Sequence, residues 1–268
     1  MENNNIQNVF LIPSIFDPFT WTQYNFPKNS KFKKVYKTSE CDAQLAIDSY
    51  NFDFLNNSKK ILLLVEPIGI IEQIYNLLND YNFVSKIDLI ATHHKRFVDN
   101  KKIIQIKPPI PTQITEQKIY NKTKLCSLIT SLKNYAPGHK LRIEILNKKL
   151  NNLDAFGYGF NPVKKKEEGL KDYCFSFAIE NCRESGYYTE KILDCFLTGT
   201  IPIYWGDPEI ETTFDKNGII FLNKDFNYNN LSFELYNSKL SYVAKNFDIA
   251  KKIKYNIDSC IEEVLNEI

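Results

Sequence analysis

The chain has 268 residues, of which 43% are hydrophobic and 25% are charged, close to the averages of globular proteins. This composition excludes a disordered chain, a collagen and a small disulfide-rich scaffold. Lys and Arg total 34 against 32 Asp and Glu, a net charge of +2. This near-balance of charge argues against a dedicated nucleic-acid-binding protein, because such proteins carry a marked basic excess.

Neither the N-terminus nor the apolar runs indicate export or membrane insertion. Residues 1–5 are polar and lack the basic and apolar regions of a secretory signal. The longest apolar run, 61–65, is far shorter than the ~20 residues that span a bilayer. The six cysteines form no Cys-x-x-Cys pair, which favours reduced, buried thiols. We therefore expect a cytoplasmic protein without a transmembrane segment.

Short apolar runs alternate with helical patterns through the first hundred residues. Predicted strands cover 8–12, 60–65, 87–91 and 103–106. The run 61–65 is apolar throughout, which is typical of a strand buried on both faces. Ile71, Ile74, Tyr75 and Leu78 then recur at helical spacing. This alternation predicts a parallel sheet covered by helices on both faces.

Prolines at 108, 109 and 111 interrupt the alternation. Because proline cannot donate a hydrogen bond to a central strand, this segment is predicted to be a stiff connector. We place the domain boundary here, which gives an N-terminal domain of residues 1–111 and a C-terminal domain of residues 112–268. A loop inside one larger domain is the alternative.

The alternation resumes in the second half, which predicts a second Rossmann-like α/β domain. Predicted strands cover 125–129, 173–179, 200–205 and 218–222, and predicted helices cover 138–150, 189–198 and 247–268. Gly199 is placed to end the second of these helices. In the last helix, isoleucines recur in steps of four from Ile249 to Ile261.

The segment 174–194 carries the pattern of a ligand site. An apolar strand leads into Glu180, a glycine-containing loop and a helix that Thr189 can cap. Ligands of open α/β sheets bind beyond the carboxyl ends of strands. Lys191 lies in the first turn of the helix, where the helix dipole disfavours a cation. A bound anion would remove this conflict; a solvated lysine on a surface helix is the alternative.

The same segment, with Gly-Thr-Ile-Pro-Ile-Tyr-Trp-Gly at 199–206, resembles the signature of the α-1,3-fucosyltransferases, glycosyltransferase family 10. The resemblance covers about 126–221, whereas the first hundred residues agree only in outline. The matching positions are Glu180, Asn181, Tyr187, Thr189, Glu190, Lys191, Gly199 and Pro202.

The resemblance implies a GT-B type fold, in which two Rossmann-like domains face each other across a cleft and the terminal helix can cross back onto the N-terminal domain. It implies inverting transfer of fucose from GDP-fucose to a sugar hydroxyl of a glycan acceptor. The C-terminal domain would bind the donor and the N-terminal domain the acceptor side. No essential metal and no other cofactor is expected, and the chain contains no Asp-x-Asp motif.

The resemblance also implies roles for five donor-binding residues. Lys191 and Arg142 would neutralise the diphosphate, and Glu190 would accept hydrogen bonds from the ribose. Asn181 and Tyr187 would line the donor pocket. The sequence leaves open that Arg142 is an exposed partner of Glu144, that Glu190 merely complements the helix dipole, and that Tyr187 only packs.

Inverting transfer needs a base that accepts the proton of the acceptor hydroxyl. By the resemblance this is Glu66, which ends the most apolar predicted strand. The residues that follow it, Pro67-Ile68-Gly69, depart from the family pattern, which leaves the acceptor geometry open. A solvated loop glutamate is the alternative for Glu66, and His93 and His94 are alternative bases.

Two other functions remain open. The same fold and mechanism could serve a different nucleotide-activated hexose, because the motif concerns the diphosphate and the ribose more than the sugar. A catalytically silent nucleotide- or glycan-binding module is the other; the presence of Glu66, Arg142, Glu190 and Lys191 together speaks against it. The charge run at 164–169 is predicted to be a solvated loop; a segment that closes over the donor is the alternative.

Overall fold

The computed structural model describes residues 6–14, 24–97, 101–110 and 112–268. The chain forms two compact units. The first comprises Met1–Pro109 and Tyr255–Ile268, and the second comprises Ile110–Lys254. Pro111, where the sequence places the domain boundary, lies outside the described residues; the division between the units falls just before it. The C-terminal segment Tyr255–Ile268 belongs to the first unit, the return for which the domain prediction allowed.

In the described part of the first unit, six strands form a parallel sheet in the order β2-β1-β3-β4-β5-β6. The strands are β1 Asn8–Ile12, β2 Lys33–Val35, β3 Ala43–Ile47, β4 Lys59–Leu64, β5 Leu89–Thr92 and β6 Ile103–Gln105. Two helices, α1 Ile68–Leu77 and α2 Tyr81–Ser85, connect β4 to β5.

The second unit contains a parallel sheet of five strands in the order β11-β10-β9-β7-β8. Its strands are β7 Lys124–Ile129, β8 Leu153–Phe156, β9 Tyr173–Ile179, β10 Ile201–Trp205 and β11 Ile220–Phe221. Its helices are α3 Pro137–Asn147, α4 Glu190–Leu197, α5 Phe233–Ser238 and α6 Leu240–Lys252, after which the chain returns to the first unit as α7 Ile257–Asn266.

The apolar run of β4 is buried on both faces, as its sequence predicts. Ile61 and Leu63 pack into one apolar cluster with residues of α7, whereas Leu62 and Leu64 pack into another with residues of α1. Because successive side chains of a strand point to opposite faces, helices cover both faces of this sheet. The fold is therefore α/β with two parallel-sheet units, the composition expected of the GT-B type.

The prediction of one continuous helix over 247–268 is wrong, because the structure has two helices there. The helix α6 ends at Lys252, Ile253 is extended with φ −78° and ψ 106°, and α7 begins at Ile257. Asn256 caps α7 by accepting a hydrogen bond from the Ser259 amide at 3.0 Å. The isoleucine spacing continues across the break, but the chain passes there from one unit to the other.

Within the described ranges, none of the helices is both long and apolar enough to cross a membrane.

Candidate active site

A cavity of about 360 Å³ opens at the carboxyl ends of β7 and β9 in the second unit. Among the described residues, its wall carries four cations: Arg142 from α3, Lys191 from the start of α4, and Lys164 and Lys166 from the segment that precedes β9. Glu190 lines the same cavity. The structure thus brings together three of the predicted site residues and adds Lys166, which the sequence analysis did not assign.

The first turn of α4 is arranged differently from an ordinary capped helix. Thr189 occupies the N-cap position, but its side chain makes no capping hydrogen bond. Its hydroxyl instead donates to Glu180 Oε2 at 2.7 Å and accepts a hydrogen bond from Lys191 Nζ at 2.8 Å. Amide groups at a helix start form an anion-binding site when no side chain caps them.

Lys191 is paired with a buried carboxylate. Its ammonium lies 3.2 Å from Glu180 Oε2 and 3.5 Å from Glu190 Oε1, and its side chain is 23% exposed. The Glu180 side chain is fully buried, and its Oε1 accepts a hydrogen bond from the Thr189 amide at 2.8 Å. The solvated lysine that the sequence left open is therefore not what the structure shows.

Arg142 is held against the end of β9. It is 6% exposed, its Nε donates to the Ile179 carbonyl at 3.1 Å, and its Nη2 donates to Asn181 Oδ1 at 3.1 Å. The alternative of an exposed partner of Glu144 is excluded by this burial. The guanidinium has further N–H donors, and the side chain lines the cavity.

Gly138 permits this close approach of α3 to β9. A Cβ at Gly138 would lie 1.7 Å from the carbonyl oxygen of Glu180, so no larger residue fits. The Gly138 amide donates to the Asn181 carbonyl at 2.9 Å. Two helix starts, those of α3 and α4, therefore adjoin the polar segment that follows β9.

Glu190 is held as an anion between two lysines. Lys166 Nζ lies 3.3 Å from Glu190 Oε1, and Lys191 Nζ lies 3.5 Å away. Burial alone raises the pKa of Glu190, but the charges of Lys191 and Lys166 outweigh it and lower the pKa to about 2. Glu190 is therefore a permanent hydrogen-bond acceptor at neutral pH.

The charge run at 164–169 is only partly the solvated loop that the sequence predicts: Lys164, Lys165 and Glu168 are exposed, whereas Lys166 and Glu167 are withdrawn from solvent. Lys166 is 14% exposed at its side chain and lies 2.8 Å from Oδ2 of Asp194, whose side chain is fully buried. Glu167 is 5% exposed and accepts a hydrogen bond from the Thr115 hydroxyl at 2.7 Å. These partners lie far along the chain, so local charge spacing does not reveal them.

Asn181 and Tyr187 differ in their surroundings. The Asn181 side chain already bonds Arg142. Tyr187 is 3% exposed and does not appear among the described residues that line the cavity. Asn181 adjoins the cavity through Arg142, whereas the buried Tyr187 is packed within the unit.

Glu66 lies in the first unit, directly after β4. Its backbone amide donates to Asp48 Oδ1 at 3.2 Å, and the Val65 amide donates to the same oxygen at 2.8 Å. Asp48 follows the neighbouring strand β3, is 2% exposed and has a φ of +46°. Burial and the charge of Glu66 raise the pKa of Asp48 to about 8. Sequence analysis missed Asp48 because its strand was not predicted.

The two histidines proposed as alternative bases follow β5. His93 is 1% exposed, and its burial together with the charge of His94 lowers the pKa of His93 to about 4. The His94 ring packs edge-on against Tyr75 and Phe97, with centroids 6.0 and 5.5 Å away. His93 is therefore buried and neutral at pH 7, and His94 is part of an aromatic cluster.

Over the residues that the structure describes, no group of three or more His, Cys, Asp and Glu side chains could hold a metal ion. That the reaction needs no metal ion stays a prediction.

Comparison with known proteins finds a family match within the second unit. Residues 119–246 match the C-terminal model of glycosyltransferase family 10 (fucosyltransferase). A segment of 62 residues is 44% identical to an α-(1,3)-fucosyltransferase of Helicobacter pylori, and one of 117 residues is 29% identical to a putative fucosyltransferase of Acanthamoeba polyphaga mimivirus. These segments are 23% and 38% of this chain but only 13% and 19% of those relatives.

Solved structures share the fold over nearly the whole chain. A crystal structure of an α1,3-fucosyltransferase superimposes with a TM-score of 0.58 at 16% identity, covering 100% of this chain and 91% of that one. Its complex with GDP-fucose gives a TM-score of 0.54 at 15% identity, covering 97% and 88%. An α-glucosyltransferase bound to UDP and DNA also reaches 0.54, at 12% identity over 98% and 99%.

Proposed function

We propose that this chain, whose residues 119–246 match the C-terminal model of glycosyltransferase family 10, transfers fucose from GDP-fucose to a sugar hydroxyl of a glycan acceptor with inversion. The observation that carries the proposal is the cavity of the second unit. Two family cations, Arg142 and Lys191, converge there with the uncapped start of α4. This is the arrangement that a diphosphate leaving group requires.

In this proposal Lys191 and Arg142 bind the diphosphate of GDP. As the bond between the sugar C1 and the phosphate oxygen breaks, its electron pair stays on that oxygen and negative charge grows there. An ammonium, a guanidinium and helix amides that are already in place stabilise this charge without reorganisation. A guanidinium suits paired phosphate oxygens because its donors form a planar fork.

Glu190 accepts the hydrogen bonds of the ribose hydroxyls in the proposal. Its low pKa supports this role, because a carboxylate that remains ionised accepts from two neighbouring hydroxyls at any physiological pH. Asn181 contacts the donor through its position beside Arg142. Tyr187 is buried and would support the residues of the pocket by packing, without contacting the donor.

Glu66 is the proposed base. As the acceptor oxygen bonds to the sugar C1, its proton passes to the Glu66 carboxylate. The hydrogen bonds from the Val65 and Glu66 amides to Asp48 support this role, because they fix the backbone at the end of β4. His93 is a weaker candidate since it is fully enclosed.

The donor sugar is the least constrained part of the proposal. The residues assigned in the cavity bind the diphosphate and the ribose and not the sugar, so another nucleotide-activated hexose is the second candidate. The similarity to fucosyltransferases favours fucose. A silent binding module is disfavoured by the retained Glu66, Arg142, Glu190 and Lys191. A cytoplasmic location and catalysis without a metal belong to the same proposal.

A thermal-shift series with GDP, UDP and ADP, followed by GDP-fucose and GDP-mannose, tests the proposal. Ligands that bind the folded state raise the melting temperature by mass action. We expect shifts with GDP and GDP-fucose, unchanged by EDTA, and release of GDP from GDP-fucose when an acceptor library is added. Absence of a shift with every guanosine nucleotide would overturn the proposal, and a larger shift with GDP-mannose would change the sugar.

A further inference from the structure

The buried carboxylate of Glu180 has no role in the function proposed above. It follows β9 directly, its side chain is fully buried, and its two oxygens are engaged by the Thr189 amide, the Thr189 hydroxyl and the Lys191 ammonium at 2.8, 2.7 and 3.2 Å. A buried carboxylate is unfavourable unless it is paired and hydrogen-bonded. Glu180 therefore depends on the start of α4, and the start of α4 depends on Glu180.

The first consequence concerns Lys191. A cation in the first turn of a helix is disfavoured by the helix dipole. The Glu180 carboxylate offsets this effect, and it draws the ammonium towards the helix start instead of letting the side chain extend into water. The Lys191 side chain is accordingly only 23% exposed although it lies on a cavity wall.

The second consequence concerns the helix amides. A threonine at an N-cap position ordinarily accepts a hydrogen bond from an amide of the first turn. Here the Thr189 hydroxyl is taken by Glu180 and Lys191 instead. Glu180 thereby keeps the Thr189 side chain from capping α4, so the amides remain available to an anion.

Glu180 itself is tightly enclosed. Its amide donates to the Trp205 carbonyl at 2.8 Å. A Cβ at Gly206 would lie 2.6 Å from its Cγ, and a Cβ at Gly138 would lie 1.7 Å from its carbonyl oxygen. Two glycines thus let neighbouring segments pack tightly around Glu180, which restricts the positions that its carboxylate can take.

We propose that Glu180 is a positioning residue that aims the Lys191 ammonium and the α4 amides at one anionic group, the diphosphate of the nucleotide. The inference rests on the proposed function and deepens it. Glu180 does not touch the ligand in this proposal. It acts through Lys191 and Thr189, and it gives the site its preference for a phosphorylated nucleoside over the nucleoside.

The variant Glu180→Gln tests the inference, because the loss of charge and the loss of positioning change GDP affinity in opposite directions. Loss of a negative charge near a phosphate site would by itself strengthen GDP binding. Loss of positioning weakens it, because Lys191 loses its partner and Thr189 becomes free to cap α4. We expect calorimetry to show GDP affinity reduced at least tenfold, while guanosine affinity, measured by competition, changes less than twofold.

A cycle with Lys191→Met separates positioning from a general effect on structure. In the Lys191→Met background, Glu180→Gln is expected to reduce GDP affinity by less than threefold, because the group it positions is gone. Glu211→Gln, an exposed glutamate of the same unit, is the matched control and is expected to leave both affinities unchanged. If Glu180→Gln fails to fold, Thr189→Val, which removes the bridging hydroxyl, takes its place with the same expected selectivity.

Four outcomes decide the matter. Weaker GDP binding with unchanged guanosine binding supports the inference. Unchanged or tighter GDP binding refutes it, and so does an equal loss for GDP and guanosine, which would show a merely structural role. If the unaltered protein binds no guanosine nucleotide, the proposed function fails and the inference falls with it, a result distinct from the failure of Glu180→Gln alone.

Discussion

Replacing Lys166 by methionine tests whether the buried ion pairs beside the cavity stabilise the second unit. The ammonium lies 2.8 Å from Asp194 Oδ2 and 3.3 Å from Glu190 Oε1. Methionine retains most of the aliphatic volume but removes the charge. It leaves the fully buried Asp194 without its cation, so we expect a marked loss of stability.

The size of the loss follows from what remains around Asp194. Removing one partner of a buried ion pair costs about 3–5 kcal/mol. Asp194 Oδ1 still accepts hydrogen bonds from the Thr112 hydroxyl at 2.7 Å and the Gln113 amide at 3.3 Å, and the Lys166 side chain is 14% exposed. Both features favour the lower end, about 3 kcal/mol of unfolding free energy.

Urea denaturation of Lys166→Met is compared with Lys165→Met, its exposed neighbour, which is expected to change stability by less than about 0.5 kcal/mol. Burial raises the pKa of Asp194 even beside Lys166. Without Lys166, the Asp194 carboxyl binds a proton more readily. The loss in free energy of unfolding caused by Lys166→Met is therefore expected to become smaller as the pH falls. The double variant Lys166→Met/Asp194→Asn is expected to be more stable than Lys166→Met. Equal stability of the Lys166→Met and Lys165→Met proteins would refute the reasoning.

Three further predictions concern the proposed chemistry and the first unit. Lys191→Ala is expected to weaken GDP binding about tenfold or more, because a charge-assisted hydrogen bond contributes about 1.5–3 kcal/mol; unchanged affinity in calorimetry would contradict its assignment. Glu66→Gln is expected to leave GDP-fucose affinity unchanged and to slow transfer on the order of 10²-fold; full activity would assign the base to another residue. Asp48, with its pKa near 8, retains a proton in the folded state that the unfolded chain releases near pH 4. The free energy of unfolding therefore falls as pH rises from about 4 to about 8, and Asp48→Asn is expected to flatten that slope in urea titrations.

The sequence predicts best what local patterns determine. The apolar run of β4 and the transition from β9 into a polar loop identify strands that lie at the centres of the two sheets. Gly199, with φ +70°, ends α4 next to its predicted position because the left-handed conformation favours glycine. These features depend on near neighbours in the chain, so composition and spacing suffice.

Features that depend on distant partners were missed. Lys166 appears in a charged run, but its partner Asp194 lies on another element, and nothing in the run indicates burial. Glu180 was recognised as part of a motif, yet its contacts with Thr189 and Lys191 require the turn that the intervening loop makes. Asp48 accepts hydrogen bonds from the Val65 and Glu66 amides only because β3 and β4 are neighbours in the sheet.

The return of Tyr255–Ile268 to the first unit separates the order of synthesis from the order of folding. Cys260, Ile261, Val264 and Leu265 complete the apolar cluster that covers one face of the first sheet. On the ribosome, that face stays open until the final helix has emerged, whereas every residue of the second unit is already available. The first unit, although most of its chain is translated first, can therefore be completed only after the whole second unit has been synthesised.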